Sequence, residues 1–230
     1  MNQQVAENKN NSEIRVLIVD DHELVRHGFK SLLGTQQGIT VVDTLCCGED
    51  AINWCRDNEY NVDVILMDVN MPGIGGVGAT QRISKSWPGV GIIIVTVHDE
   101  GPLPRRLLNG GAKGYLTKGN SVEEMVTAIK DVHNGKHYIA KDIALQLALS
   151  VLPGETNPLD ILSMRETQIL MMIAQGTKTQ KISEILNLSP KTISTYRMRL
   201  YEKLDVKSDI EMLHLAMKHG VLDENNQLVK

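Results

Sequence analysis

The chain has 230 residues, 42% apolar and 23% charged, with a net charge of −4: an ordinary globular composition with room for one or two domains. No apolar run reaches the ~18 residues that span a bilayer, the N-terminal stretch MNQQVAENKNNSE has no signal-peptide core, and Cys46, Cys47 and Cys55 lack metal-ligand spacing. A membrane span is therefore excluded, reduced cysteines without a disulfide or metal role and no direct membrane binding are expected, and the chain reads as a cytoplasmic protein with an aliphatic core.

After a polar leader (1–13), expected to be disordered, short apolar runs alternate with amphipathic stretches. The runs are IRVLIV (14–19), ITVVDTL (39–45), VDVILM (62–67), GIIIVT (91–96) and AKGYLT (112–117). Helical patterns fall between and after them, at about 22–33, 48–58, 78–86, 102–110 and 121–133. Three runs are almost continuously aliphatic, as strands covered on both faces require. Five strand–helix repeats predict a five-stranded, parallel, doubly wound α/β domain over 14–134. His133-Asn134-Gly135 stops the last helix, and 135–160 reads as a linker with one short helix at 141–151.

Beyond the linker the period is helical only. Ser163 and Glu166 have capping-box spacing, Asn187-Leu188 makes a tight turn, and Ser189-Pro190 starts a helix running to about Leu204. Ser208 starts another, to 219. The expectation is an all-α, four-helix domain over 161–222 containing a helix-turn-helix, with a tail at 223–230.

The ends of the strands carry the chemistry. The first ends at Asp20-Asp21 and the third at Asp68, where doubly wound sheets place their sites. Three converging carboxylates repel one another unless a cation is present, and hard oxygen donors select Mg²⁺. Thr96 ends the fourth strand and Lys118 follows the fifth. Around one carboxylate this set suits phosphoryl transfer, with Asp68 attacking phosphorus while the metal and Lys118 balance charge. Singly, each has a blander explanation. Asp21 is placed to cap the helix that starts near His22, Thr96 is ordinary strand material, and Lys118 is an ordinary surface charge. Their joint placement at four strand ends favours the chemistry.

DDH (20–22), MDVNMPGIGG (67–76), VTVHD (95–99) and GAKGYLTKG (111–119) closely resemble receiver domains of bacterial two-component response regulators. The resemblance implies a flavodoxin-like fold, Asp68 as phosphoacceptor, Asp20 and Asp21 as metal-binding acids, and the main-chain carbonyl of Asn70 as a further ligand. It also implies Thr96 and Tyr115 as a switch pair and Lys118 as the phosphate-binding lysine. Three features depart from the pattern. Gly119 stands where a cis proline is common, Gly78 where a better helix former is common, and Pro102, Pro104 and Asn109-Gly110-Gly111 weaken the fourth helix. Residues 100–111 are accordingly expected to be mobile and ordered by phosphorylation.

Residues 156–230 carry 10 basic against 9 acidic side chains, whereas 1–155 carry 14 against 19. Five bases concentrate in 189–207. On a wheel of 189–204, Ile193, Tyr196, Leu200 and Leu204 share a core face. Lys191, Ser194, Thr195 and Met198 lie opposite, flanked by Thr192, Arg197, Arg199 and Lys203. Small polar groups between cationic flanks suit a helix in the major groove of double-stranded DNA.

Residues 162–213 resemble the LuxR-type helix-turn-helix of the NarL/FixJ class, with SPKTISTYRMRLYEKL especially similar to the GacA/UvrY/SirA/LetA group. That resemblance implies a sensor histidine kinase of membrane hybrid type, promoter DNA as target, and homodimerisation when phosphorylated. The dimer contact falls on the last helix, through Met212, Leu213, Ala216 and Met217, although such a stripe is as often intradomain core. At rest the receiver is expected to cover the recognition helix or its dimer surface. An aspartyl-phosphate phosphohydrolase is the competing enzyme class. It is disfavoured because Asn70 stands where such enzymes place a general acid, leaving only slow self-dephosphorylation. A DNA-binding protein with an inert receiver is the third class, disfavoured by the intact acids.

Overall fold

Short aliphatic runs, each stopped by a polar or turn residue, set the sheet: β1 (Ile14–Val19), β2 (Ile39–Leu45), β3 (Val64–Met67), β4 (Gly91–Thr96) and β5 (Gly114–Thr117). The computed structural model describes residues 13–58, 61–97, 103–149 and 157–219. The leader other than Glu13, and the tail at 223–230, lie outside them, as do residues 98–102 of the segment expected to be mobile. With a short sixth strand, β6 (Tyr138–Ile139), all strand pairs are parallel, in the order β2-β1-β3-β4-β5-β6. Every residue of β3 and β4 is buried, as strands covered on both faces must be. Helices α1 (Glu23–Gly34) and α5 (Val122–His133) pack together, and α2 (Gly48–Asp57) packs on α3 (Gly75–Ser86).

The sheet has six strands rather than five. Tyr138–Ile139 forms β6, pairing with Gly114 and Tyr115 of β5. Two residues are too few to show a period, so this strand was hidden in the expected linker. It shields the β5 edge and leads into α6 (Lys141–Leu149), which packs on α4 (Leu103–Asn109). Pro104 falls in the first turn of α4, where a missing N–H costs nothing.

A 3-10 turn (Pro158–Ile161) opens the second unit, followed by α7 (Met164–Ala174), α8 (Thr179–Leu186), α9 (Pro190–Leu204) and α10 (Asp209–Lys218). Ser163 and Glu166 form the capping box on α7. Asn187, left-handed at φ 53°, stops α8. The Ser189 hydroxyl accepts the Thr192 N–H at 3.0 Å, with Pro190 at the first helical position of α9.

Helix α7 is buried continuously from Glu166 to Ile173. A helix buried all round needs cover on every side, and the receiver supplies the side its own domain does not. Gln168 Nε2 donates to the carbonyl of Ile74, at the start of α3, at 3.0 Å. Arg106 on α4 donates to Thr167 Oγ1 and to the Leu159 carbonyl. Gly78 now has a reason. A β-carbon there would lie 2.1 Å from Gln168 Nε2, so the poor helix former is the residue that lets α7 seat on α3.

Candidate phosphoryl-acceptor site and nucleic-acid interface

β1 and β3 are neighbours, with Val19 opposite Met67. The Asp68 N–H donates to the Val19 carbonyl at 2.8 Å and the Asp20 N–H to the Leu45 carbonyl at 3.0 Å. These bonds fix the two aspartates side by side at the carboxyl edge, 2% and 3% exposed for Asp20 and Asp68. Asp20 Oδ1 accepts the His22 N–H at 2.8 Å. The residue flanking α1 is His22, with no side-chain cap, so Asp21 is not a helix cap. Asp21 Oδ1 is buried and accepts no hydrogen bond, although the His22 ring nitrogen lies 3.0 Å away.

Lys118 reaches into the cluster, its Nζ 2.6 Å from Asp20 Oδ2 and 3.3 Å from Asp68 Oδ1. Its own N–H, donated to the Thr96 carbonyl at 2.8 Å, positions it at the end of β5. Burial raises the Asp68 carboxyl to about 6; Lys118 pulls it down, and Asp20 and Asp21 push it up. Burial alone lowers the Lys118 ammonium, but Asp68 and Asp20 outweigh it and hold the group above its ordinary value. Asp68 Oδ2 also accepts the Asn70 N–H at 3.2 Å. Thr96 and Tyr115, on adjacent strands, are both fully buried.

This donor set fits a hard divalent cation. Carboxylates from Asp20, Asp21 and Asp68 gather at the carboxyl edge, one oxygen of Asp21 accepts no hydrogen bond, and the exposed His22 ring lies beside Asp20 and Asp21 as the one nitrogen donor of the group. The geometry brings together Asp20, Asp21, Asp68 and Lys118, as their placement at the strand ends predicts.

The α9 surface divides differently from the wheel. Ile193, Leu200 and Leu204 are core, and Tyr196 is half-buried beneath the Arg199 guanidinium, 6.0 Å from its ring centre. Lys191, Ser194, Thr195, Met198 and Arg199 are exposed. Thr192 is half-buried and bonded to Ser189. Two flanking cations are engaged within the domain. Arg197 Nη1 lies 3.4 Å from Asp209 Oδ2, and Lys203 Nζ is 2.8 Å from the buried Glu166 carboxylate. The receiver does not cover the reading face; it holds α7, on the other side of the domain's core. Of the four apolar residues expected at a dimer contact, Met212 and Ala216 are buried in the domain's own core. Leu213 and Met217 are half-buried, while Ile210, unnoticed in the sequence, is 66% exposed.

Fold and site together define a receiver joined to a helix-turn-helix. The family model for the response regulator receiver domain matches residues 16–130, and that for bacterial regulatory proteins of the luxR family matches 160–216. The response regulator UvrY of Escherichia coli K12 is 52% identical over 210 residues, covering 90% of this chain and 95% of that one. The response regulator GacA of Pseudomonas aeruginosa PAO1 is 49% identical over 212 residues, covering 91% and 98%. RcsB of Salmonella enterica serovar Typhimurium, solved bound to promoter rprA with the phosphomimetic BeF₃⁻, shares the fold, with a TM-score of 0.70 and 24% identity over 88% of this chain and 98% of that one. This chain belongs to the two-component response regulators that carry a LuxR-type DNA-binding domain. It is a phosphorylation-dependent transcriptional regulator rather than a classical enzyme. No helix among the described residues is long and apolar enough to cross a membrane.

Proposed function

We propose that this chain accepts a phosphoryl group on Asp68 from a sensor histidine kinase in the cytoplasm, and that phosphorylation promotes dimerisation and promoter binding. The convergence of Asp20, Asp21 and Asp68 with Lys118 carries the reading. Asp20, Asp21, Asp68 and the Asn70 carbonyl would hold Mg²⁺, which when bound supplies positive charge to the phosphoryl oxygens. The Asp68 carboxylate forms the new O–P bond while the N–P bond to the kinase imidazole breaks. Lys118 passes from Asp20 to a phosphoryl oxygen, and the Thr96 hydroxyl donates to another. Asn70 has no acid–base chemistry with which to speed attack by water, so self-dephosphorylation is slow.

On the DNA side, Lys191, Ser194, Thr195 and Met198 meet base edges. Arg199 and Thr192 meet phosphates, and Arg197 does so only by leaving Asp209. Dimerisation through α10 uses Ile210 with Leu213, the residues its surface offers. A kinase of membrane hybrid type is the partner that the resemblance of residues 162–213 implies. The open α9 face and buried Thr96–Tyr115 pair favour a docked arrangement that is itself competent for DNA, with no need for the receiver to let go.

The test compares DNA binding and dimerisation of wild type and Asp68→Ala, with and without Mg²⁺ and a small phosphodonor. Strengthening of both in wild type alone supports the reading; indifference to donor and mutation overturns it.

A further inference from the structure

Ile74 is gripped on both sides of its backbone. Its N–H donates to Glu49 Oε1, from the first turn of α2, at 2.9 Å. Its carbonyl accepts from Gln168 Nε2 of the DNA-binding domain at 3.0 Å. The Gln168 amide is itself oriented, because its Oε1 accepts from Arg165 Nη1 at 2.7 Å. Arg165 Nη2 in turn donates to the Leu186 carbonyl at 3.2 Å, the last residue of α8 before the helix-turn-helix turn. A continuous chain of hydrogen bonds thus runs from that turn to Ile74.

Ile74 closes the loop that starts at Asp68. Gly73 and Gly75 flank it at φ +77° and +62°, left-handed backbone that glycine enters at little cost and leaves as readily. Within the receiver the Asp68 N–H on the Val19 carbonyl, the Asn70 N–H on Asp68 Oδ2 and the Gly76 N–H on the Val69 carbonyl at 3.0 Å hold the loop, and the two grips on Ile74 add to them at its glycine-flanked end. On the same face of α7 as Gln168, Met171, Met172 and Gln175 line a crevice with Val69 and Met71 of the same loop. The effector domain is part of the wall of the phosphoacceptor loop.

We infer that Gln168, on the DNA-binding domain, is a positioning residue for the phosphoryl site of the receiver, and that Glu49 is its counterpart from within the receiver. The docked domain clamps the loop between Asp68 and α3 and so lowers the ordering cost of assembling the metal and phosphoryl contacts. Binding is reciprocal, so a filled site holds the DNA-binding domain in place rather than expelling it. This rests on the functional reading above.

The test uses the full chain, with Mg²⁺ titrated by calorimetry and Asp68 phosphorylated by acetyl phosphate. Gln168→Glu keeps size but cannot donate to the Ile74 carbonyl. Gly78→Ala leaves Gln168 in the sequence, strengthens α3 as a helix, and displaces the amide sterically. Both variants should weaken Mg²⁺ binding and slow phosphorylation by about threefold to tenfold, the scale of one buried hydrogen bond partly spent on holding a loop. Glu49→Gln, which weakens the opposite grip, should act in the same direction. A merely structural contact would change domain melting but leave the Mg²⁺ dissociation constant untouched. Unchanged or tighter Mg²⁺ binding in the Gln168 and Gly78 variants overturns the inference while leaving the functional reading intact. A wild type that takes neither Mg²⁺ nor a phosphoryl group overturns both.

Discussion

Lys118 sits closer to Asp20 than to Asp68, 2.6 Å against 3.3 Å. The ammonium therefore occupies an oxygen that the cation needs, and the two compete. Lys118→Ala should tighten Mg²⁺ binding by roughly threefold to tenfold, on the order of 1 kcal/mol of relieved competition between cations. The same variant should phosphorylate poorly, having lost the group that follows the phosphoryl oxygens. Calorimetry beside a phosphorylation time course separates the two effects, and weaker Mg²⁺ binding would contradict this account of the lysine.

Asp68 adds a pH dependence. Its folded-state carboxyl is raised to about 6 from an ordinary value near 4. Between those values the folded chain holds more protons than the unfolded one, so stability falls as pH rises through the window. Without metal, Asp68→Asn should stabilise the chain at pH 8, by of order 1–2 kcal/mol, because Lys118 keeps Asp20 as a partner. Near pH 3, where the carboxyl is protonated in both states, the gain should vanish. Mg²⁺ binding at pH 6 should release protons and at pH 8 should not, which calorimetry in buffers of different ionisation enthalpy reads directly.

Lys203 and Arg199 are both cations on α9, yet their roles part. Lys203 neutralises buried Glu166, whose carboxyl burial raises but the Lys203 and Ser163 bonds bring below its ordinary value. That contribution is present above the ordinary carboxyl range and fades as pH falls through the lowered value. Lys203→Ala should cost about 1–2 kcal/mol of stability and leave the salt dependence of DNA binding nearly unchanged. Arg199→Ala should weaken binding to all sequences alike and reduce the salt slope by about 1. Salt titrations of both variants decide it; equal slope losses would place Lys203 on phosphate after all.

Arg106 ties the domains together through Thr167 and Leu159. It is buried on α4, and burial, its largest influence, lowers its pKa despite Asp160 and Glu166 nearby. Arg106→Leu removes both bonds and leaves the Leu159 carbonyl with the Leu162 N–H alone, at 3.1 Å, a loss of about 1–2 kcal/mol. The chain should then melt in two separated transitions instead of one, as seen by calorimetry.

The sequence disclosed most of this molecule because its signals are local. Asp20, Asp21, Asp68 and Lys118 each follow an apolar run whose end is visible, and parallel packing does the rest. β6 escaped notice because two residues carry no period. Gln168, Arg106 and Glu49 escaped for another reason: a polar residue on a helix looks solvated until its partner, 94 positions away for Gln168, is placed beside it. Gly78 did register as an anomaly, though its explanation lay in the other domain. Met212 and Ala216 share a stripe with Leu213 and Met217, and only packing shows which way each pair points.

The short strand on the sheet edge has a consequence for reach. By anchoring 138–139 to β5 and α6 to α4, the fold carries the receiver to Leu149, and eight peptide steps, a span of at most about 28 Å, separate that residue from Asn157 at the start of the second unit. A DNA-binding domain on so short a leash meets its docking surface at a local concentration in the millimolar range. Opening and closing is then intramolecular and independent of how much protein the cell makes, whereas pairing of two chains on a promoter depends on abundance. The tether thus separates the two equilibria, letting expression level set occupancy without resetting the switch.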